Sequence, residues 1–141
     1  MSNAGYIDVS LIPEQTAEII EALLLSGIVL PKHNPHCTLM YDKRDLDEPL
    51  AEIDPEKVFT ANIVGIEVLG TGLIFNLVSH GLMEEHKRLK GEGYVHSFDS
   101  FLPHMSMSYD FDDYDVITAR KVFADWGGRT LTFSNQSFGS K

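Results

Sequence analysis

The chain has one cysteine, Cys37, in 141 residues. No internal disulfide can form, and a reducing, cytosolic setting is expected. Cations are scarce as well: 11 Lys and Arg stand against 21 Asp and Glu, a formal net charge of −10. Proteins that track long RNA or DNA carry a basic stripe, so a long nucleic acid is disfavoured as partner. A small ligand with one or two phosphates is still acceptable, because a few local donors can hold it. No apolar run is long enough to span a bilayer and no secretory leader is recognisable, so no membrane partner is expected. Met1-Ser2-Asn3-Ala4 is set aside from fold reasoning.

Complete metal and phosphate motifs are missing too. His33 and His36 are three apart and His80 and His86 six apart, and neither pair completes a zinc set. His33 is expected on a substrate loop and His86 on a helix surface. The acidic run Asp110-Phe111-Asp112-Asp113-Tyr114-Asp115 has Asp115 and Lys121 where a calcium loop needs glycine and glutamate. A solvated loop with a helix cap is the better reading. Gly70-Thr71-Gly72 is too short for a phosphate fingerprint and precedes a strand, so it reads as a turn.

What the chain does have is a repeat. Pro35-His36-Cys37-Thr38-Leu39-Met40 returns as Pro103-His104-Met105-Ser106-Met107-Ser108. On a β-strand, side chains at i and i+2 share a face. His36 and Thr38 then point one way, with Cys37 and Leu39 behind them. His104 and Ser106 do the same, with Met105 and Met107 behind. Two such strands side by side offer two imidazoles and two hydroxyls to one cleft. Imidazole holds both protonation states near neutral pH, so a pair can act as base and acid across a phosphodiester. The hydroxyls can hydrogen-bond the charge that builds on its oxygens.

Strands are predicted over 6–11, 36–41, 58–69 and 73–78, with the turn at Gly70-Thr71-Gly72. Helices are predicted from Pro13 to about Gly27, from 80 to 90 under a Ser79 cap, and from a cap at Asp112 or Asp113 to about Trp126. Glu84 and Arg88 are spaced for an i,i+4 pair. A loop over 91–100 leads to the second motif strand, and 129–138 is a last strand or ordered tail. This order predicts one α+β domain over 1–141 with a mostly antiparallel sheet and helices outside. Its halves are expected at about 5–70 and 71–138, one motif strand in each. Phe59, Phe75 and Phe123 are assigned to the core. Tyr6, Trp126, Phe133 and Phe138 are candidates for stacking on bases, and of these Tyr6, Trp126 and Phe138 are carried forward. The polar stretch Ser134-Asn135-Gln136-Ser137 could bring Phe138 over a ligand as a lid. Tyr109 continues the second motif strand and could edge the pocket, although strict alternation puts it with the core side.

The two His-x-Thr/Ser strands resemble those of the two-histidine phosphoesterase superfamily. The run from His36 to Asp42, on a short acidic chain, is most similar to the phage anti-CBASS nucleases. The resemblance covers nearly the whole chain. It implies a bilobed fold with a central cleft, with His36 and His104 catalytic and Thr38 and Ser106 on phosphate. It further implies a metal-independent phosphodiesterase without cofactor; a monomer is expected. Its substrates would be the cyclic di- or trinucleotides that signal in bacterial defence. Two alternatives stand beside it: an RNA 2′,3′-cyclic phosphodiesterase or 2′-5′ ligase, and a module that sequesters a cyclic nucleotide without turnover.

Overall fold

The computed structural model describes residues 4–98 and 100–139. Among these, six strands form one antiparallel sheet: β1 Tyr6–Leu11, β2 His36–Tyr41, β3 Phe59–Leu69, β4 Gly72–Val78, β5 His104–Ser108 and β6 Thr130–Phe138. Three α-helices, α1 Pro13–Leu25, α2 His80–Gly91 and α3 Asp113–Val122, precede a short 3₁₀ turn at Ala124–Trp126. No helix among the described residues is long and apolar enough to cross a membrane.

Local chemistry explains most boundaries. Pro13 opens α1, where its missing N–H costs nothing. The Ser79 hydroxyl accepts from Leu82 N–H at the start of α2. Asp112 and Asp115 form a reciprocal capping box on α3, which gives the acidic run its structural role. The predicted Glu84–Arg88 pair does not form. Arg88 turns instead to Glu85, one residue closer, and Lys87 takes Glu84. Glu85 is buried and is also bonded by Gln136, so it holds Arg88 more tightly than a solvated carboxylate would. Burial alone would raise the Glu85 carboxyl, but Arg88, Gln136 and Lys57 bring it down to about 2. Ala4, set aside from the fold in sequence, is fully buried and accepts a hydrogen bond from the Tyr94 hydroxyl. Met1 to Asn3 lie outside the described residues.

The sheet order is β2-β1-β6-β3-β4-β5. The third strands are therefore exchanged between the halves as divided in sequence: β6 lies beside β1, and β3 beside β4. Both motif strands are sheet edges. Across a flat sheet they would be about 24 Å apart, five spacings of roughly 4.8 Å. Instead β2 and β5 touch, so the sheet bends until its edges meet. Ile7, Val9, Cys37, Leu39, Phe75 and Met105 fill the core with Ile19 and Leu23 of α1 and Leu82 and Leu89 of α2. Phe59 and Phe123 also belong to this core.

The tail is no lid. Ser134 to Ser137 lie inside β6, in the part of the strand that pairs with β1. Gln136 is buried, accepting from Asp54 N–H and donating to Glu85. Its polarity serves an internal network.

Candidate active site

A cavity of about 570 Å³ opens where β2 and β5 meet, lined by Tyr6, His36, Thr38, His104 and others. That size is within the usual range for small-ligand sites. Each histidine is held in the same way. His36 Nδ1 is 3.0 Å from the Asn34 carbonyl, and His104 Nδ1 is 2.8 Å from the Leu102 carbonyl. A carbonyl only accepts, so each Nδ1 carries a hydrogen. That leaves each Nε2 as the atom that gains or loses a proton.

Tyr6 is buried, and its hydroxyl lies 3.2 Å from His36 Nε2 and 2.9 Å from Thr38 Oγ1. Burial pushes this phenol up to about 12, so it stays neutral and bridges the two groups. Its ring meets Tyr41 edge-on at 6.1 Å. Tyr6 thus lines the cavity as expected, but with its hydroxyl engaged at His36 and Thr38. Ser106 shares the His104 side of β5 and is half-buried, but it is not itself among the cavity walls.

The other two stacking candidates lie elsewhere. Trp126 packs parallel to Phe75 at 6.2 Å and edge-on to Phe123 at 5.0 Å, with the Arg129 guanidinium 3.9 Å over its ring. It closes the core after α3. Phe138 is opposite Ile7 in the β1–β6 ladder. Paired residues share a face, and Ile7 faces away from Tyr6, so Phe138 is on the wrong side of the sheet. Phe133 is fully buried. Cys37 is buried in the core, and burial pushes its thiol up to about 12. His33 is exposed and is not a wall residue.

The cavity also has walls that nothing in the two motifs singles out, Tyr41, His96, Phe98 and Phe101, together with Tyr109. Tyr41 and Tyr109 were within reach. The repeat runs two residues further, ending Tyr41-Asp42 and Tyr109-Asp110. Strict alternation puts Tyr109 with the core side, but each motif strand carries one extra residue. In β2 the pairing steps from Asp8–Thr38 to Ile7–Met40, passing over Leu39. In β5 it steps from Ile74–Ser106 to Leu73–Ser108, passing over Met107. Such a bulge shifts the phase by one, so 39–40 and 107–108 are all buried and each tyrosine turns to the cavity.

His86 is not on the helix surface. It is buried, and its Nδ1 is 2.6 Å from the Leu39 carbonyl, at the β2 bulge. His96 Nδ1 accepts from Tyr41 N–H at 3.1 Å, and the two imidazoles meet edge-on at 4.8 Å. Together they tie α2 and the loop before β5 to the bulged end of β2. Burial, then His86, brings His96 down to about 4, and burial lowers His86 as well. A folded pKa below the unfolded value of 6.5 means that the unfolded chain binds more protons in between. Stability from this pair is therefore complete above about pH 6.5 and falls as the pH drops toward 4. Thermal melts across that window should show a declining Tm, with a shallower decline in His96→Asn; an unchanged slope would remove His96 as its source.

Among the described residues no three His, Cys, Asp or Glu side chains gather as a metal-binding set. A comparison with curated proteins returns no match. Residues 4–125 match the family model of the anti-CBASS protein Acb1; the match spans most of the chain, which belongs to that family.

Proposed function

We propose that this member of the anti-CBASS family is a phage counter-defence enzyme, a phosphodiesterase that opens the 3′-5′ bonds of cyclic di- or trinucleotide messengers. We read its architecture as the two-histidine phosphoesterase fold, the bent sheet providing the central cleft. One observation carries the reading: two histidines, each with Nδ1 tied to a carbonyl two residues back, share one cavity with the Thr38 hydroxyl. A pure binding module has no need for two proton-transfer groups presented alike.

In the proposed reaction the 2′-oxygen attacks the adjacent phosphorus. The new O2′–P bond forms as the P–O5′ bond breaks. One Nε2 takes the proton from the 2′-hydroxyl, and the other delivers a proton to the departing O5′. Thr38 and Ser106, on rigid strands, donate to the non-bridging oxygens as charge builds there. Tyr6 keeps Thr38 and His36 in fixed relation. The 2′,3′-cyclic phosphate can then be opened by water, with the histidines exchanging roles.

Incubation with a panel of cyclic di- and trinucleotides, followed by mass spectrometry, tests this directly. Linear products are expected, and intact rings across the whole panel would refute the activity. No step draws on a metal, so turnover should survive exhaustive chelation. The rate should be bell-shaped in pH, because one group must take a proton while another gives one. Activity lost to EDTA and restored by zinc or manganese would overturn the metal-free mechanism.

A further inference from the structure

The cavity walls present a puzzle for an anionic ligand. Among the described residues they include no Lys or Arg side chain. Phosphate charge therefore finds no permanent cation there beyond whichever histidine carries the proton, and much of the affinity has to come from another source. The walls are instead rich in aromatic rings, and two of these are related by the repeat. Tyr41 and Tyr109 each follow a His-x-Thr/Ser-x-x run, and each is turned outward by a bulge at the same place. Both are substantially exposed, 38% and 52%, while the two residues before each are buried. Large rings left open on a cavity, immediately after buried core positions, are available to a ligand.

Tyr41 is also braced. Tyr41 stands between Tyr6 at 6.1 Å and Phe98 at 6.2 Å. Tyr41 N–H is anchored on His96. Tyr109 lies over Gly72, where an added Cβ would come within 3.4 Å of its Cε1. A braced ring loses little freedom when a flat partner settles on it.

We propose that Tyr41 and Tyr109 are a matched pair of base platforms, each stacking one nucleobase of a two-base cyclic nucleotide, with the His36/His104 pair acting between them. The inference rests on the phosphodiesterase reading and adds how the substrate is held. A ligand with two bases joined through phosphates suits a site built from two copies of one motif. Stacking accepts any base, because every base has a π-face. It also resists salt, so affinity should change little with ionic strength.

The test is equilibrium binding of a cyclic dinucleotide lacking 2′-hydroxyls, with turnover of its ribose counterpart in parallel. Tyr41→Ala and Tyr109→Ala should each weaken binding about tenfold. Tyr→Phe at either position should stay within about twofold of the parent, since the ring is retained. Tyr→Leu should behave like alanine; full rescue by leucine would mean simple apolar filling and overturn the proposal. For a single-base 2′,3′-cyclic mononucleotide, the double alanine variant should lose no more than the worse single one. If the parent cuts the ring and both alanine variants bind it normally, the platforms fall and the phosphodiesterase reading stands. If the parent neither binds nor cuts any cyclic dinucleotide, both fall together.

Discussion

Replacing His36 or His104 with alanine is expected to reduce turnover at least on the order of a hundredfold, with the fold retained. Each change removes one of the two Nε2 atoms presented to the cavity. Neither ring is in the hydrophobic core, and each makes its Nδ1 bond to a carbonyl of the loop just before its strand. Loss of that bond should cost about 1 kcal/mol of stability. Thermal melts alongside single-turnover rates separate the effects. Near-normal rates with a normal Tm in either variant would sink the two-histidine assignment. The double variant should be little slower than the worse single one, because base and acid act in one step. Thr38→Val and Ser106→Ala should be milder and slow chemistry more than they weaken binding. Thr38→Val also takes away one of the partners of Tyr6, so it should be the more harmful of the two.

The substrate's own 2′-hydroxyl provides the second large effect. A cyclic dinucleotide without 2′-hydroxyls should bind and remain intact. Its ribose counterpart should yield a linear dinucleotide ending in a 2′,3′-cyclic phosphate, and later an open monophosphate. The ring already holds hydroxyl and phosphorus close together, so positioning supplies much of the rate. Direct attack by water would cut both compounds and never leave a cyclic-phosphate terminus. Efficient cleavage of the deoxy compound would overturn the intramolecular route and leave the His36/His104 site standing. The readout is the mass of the first product, taken early enough to precede hydrolysis.

Alternation and polarity mislead wherever the tertiary neighbours of a residue decide its place. Alternation, unbroken on paper, ranks Tyr109 low as a pocket residue, whereas Met107 is passed over in the ladder and the ring lines the cavity. His86 looked like a surface residue on a charged helix, yet the Leu39 carbonyl at the β2 bulge needed a donor. Phe138 looked mobile in a polar tail, but its strand is inserted between β1 and β3. Trp126 looked available, but the turn after α3 folds it onto Phe75 and Phe123.

What the sequence determined by itself is local and periodic. The β1 and β2 spans, the Pro13 start, the Ser79 and Asp112 caps and the Gly70-Thr71-Gly72 turn follow from side-chain chemistry within a few residues. The repeat likewise put each histidine and its hydroxyl on one face of a strand, because strand periodicity is two. Only the tertiary structure decided that the two motif strands meet. They begin 68 positions apart in sequence, at opposite edges of the sheet. The bend that closes that gap arises from packing helices and twisted strands around one core, a property of the whole chain that no segment encodes. The same packing selected the walls around the histidines, since the bulges that turn Tyr41 and Tyr109 outward exist only in pairing with β1 and β4.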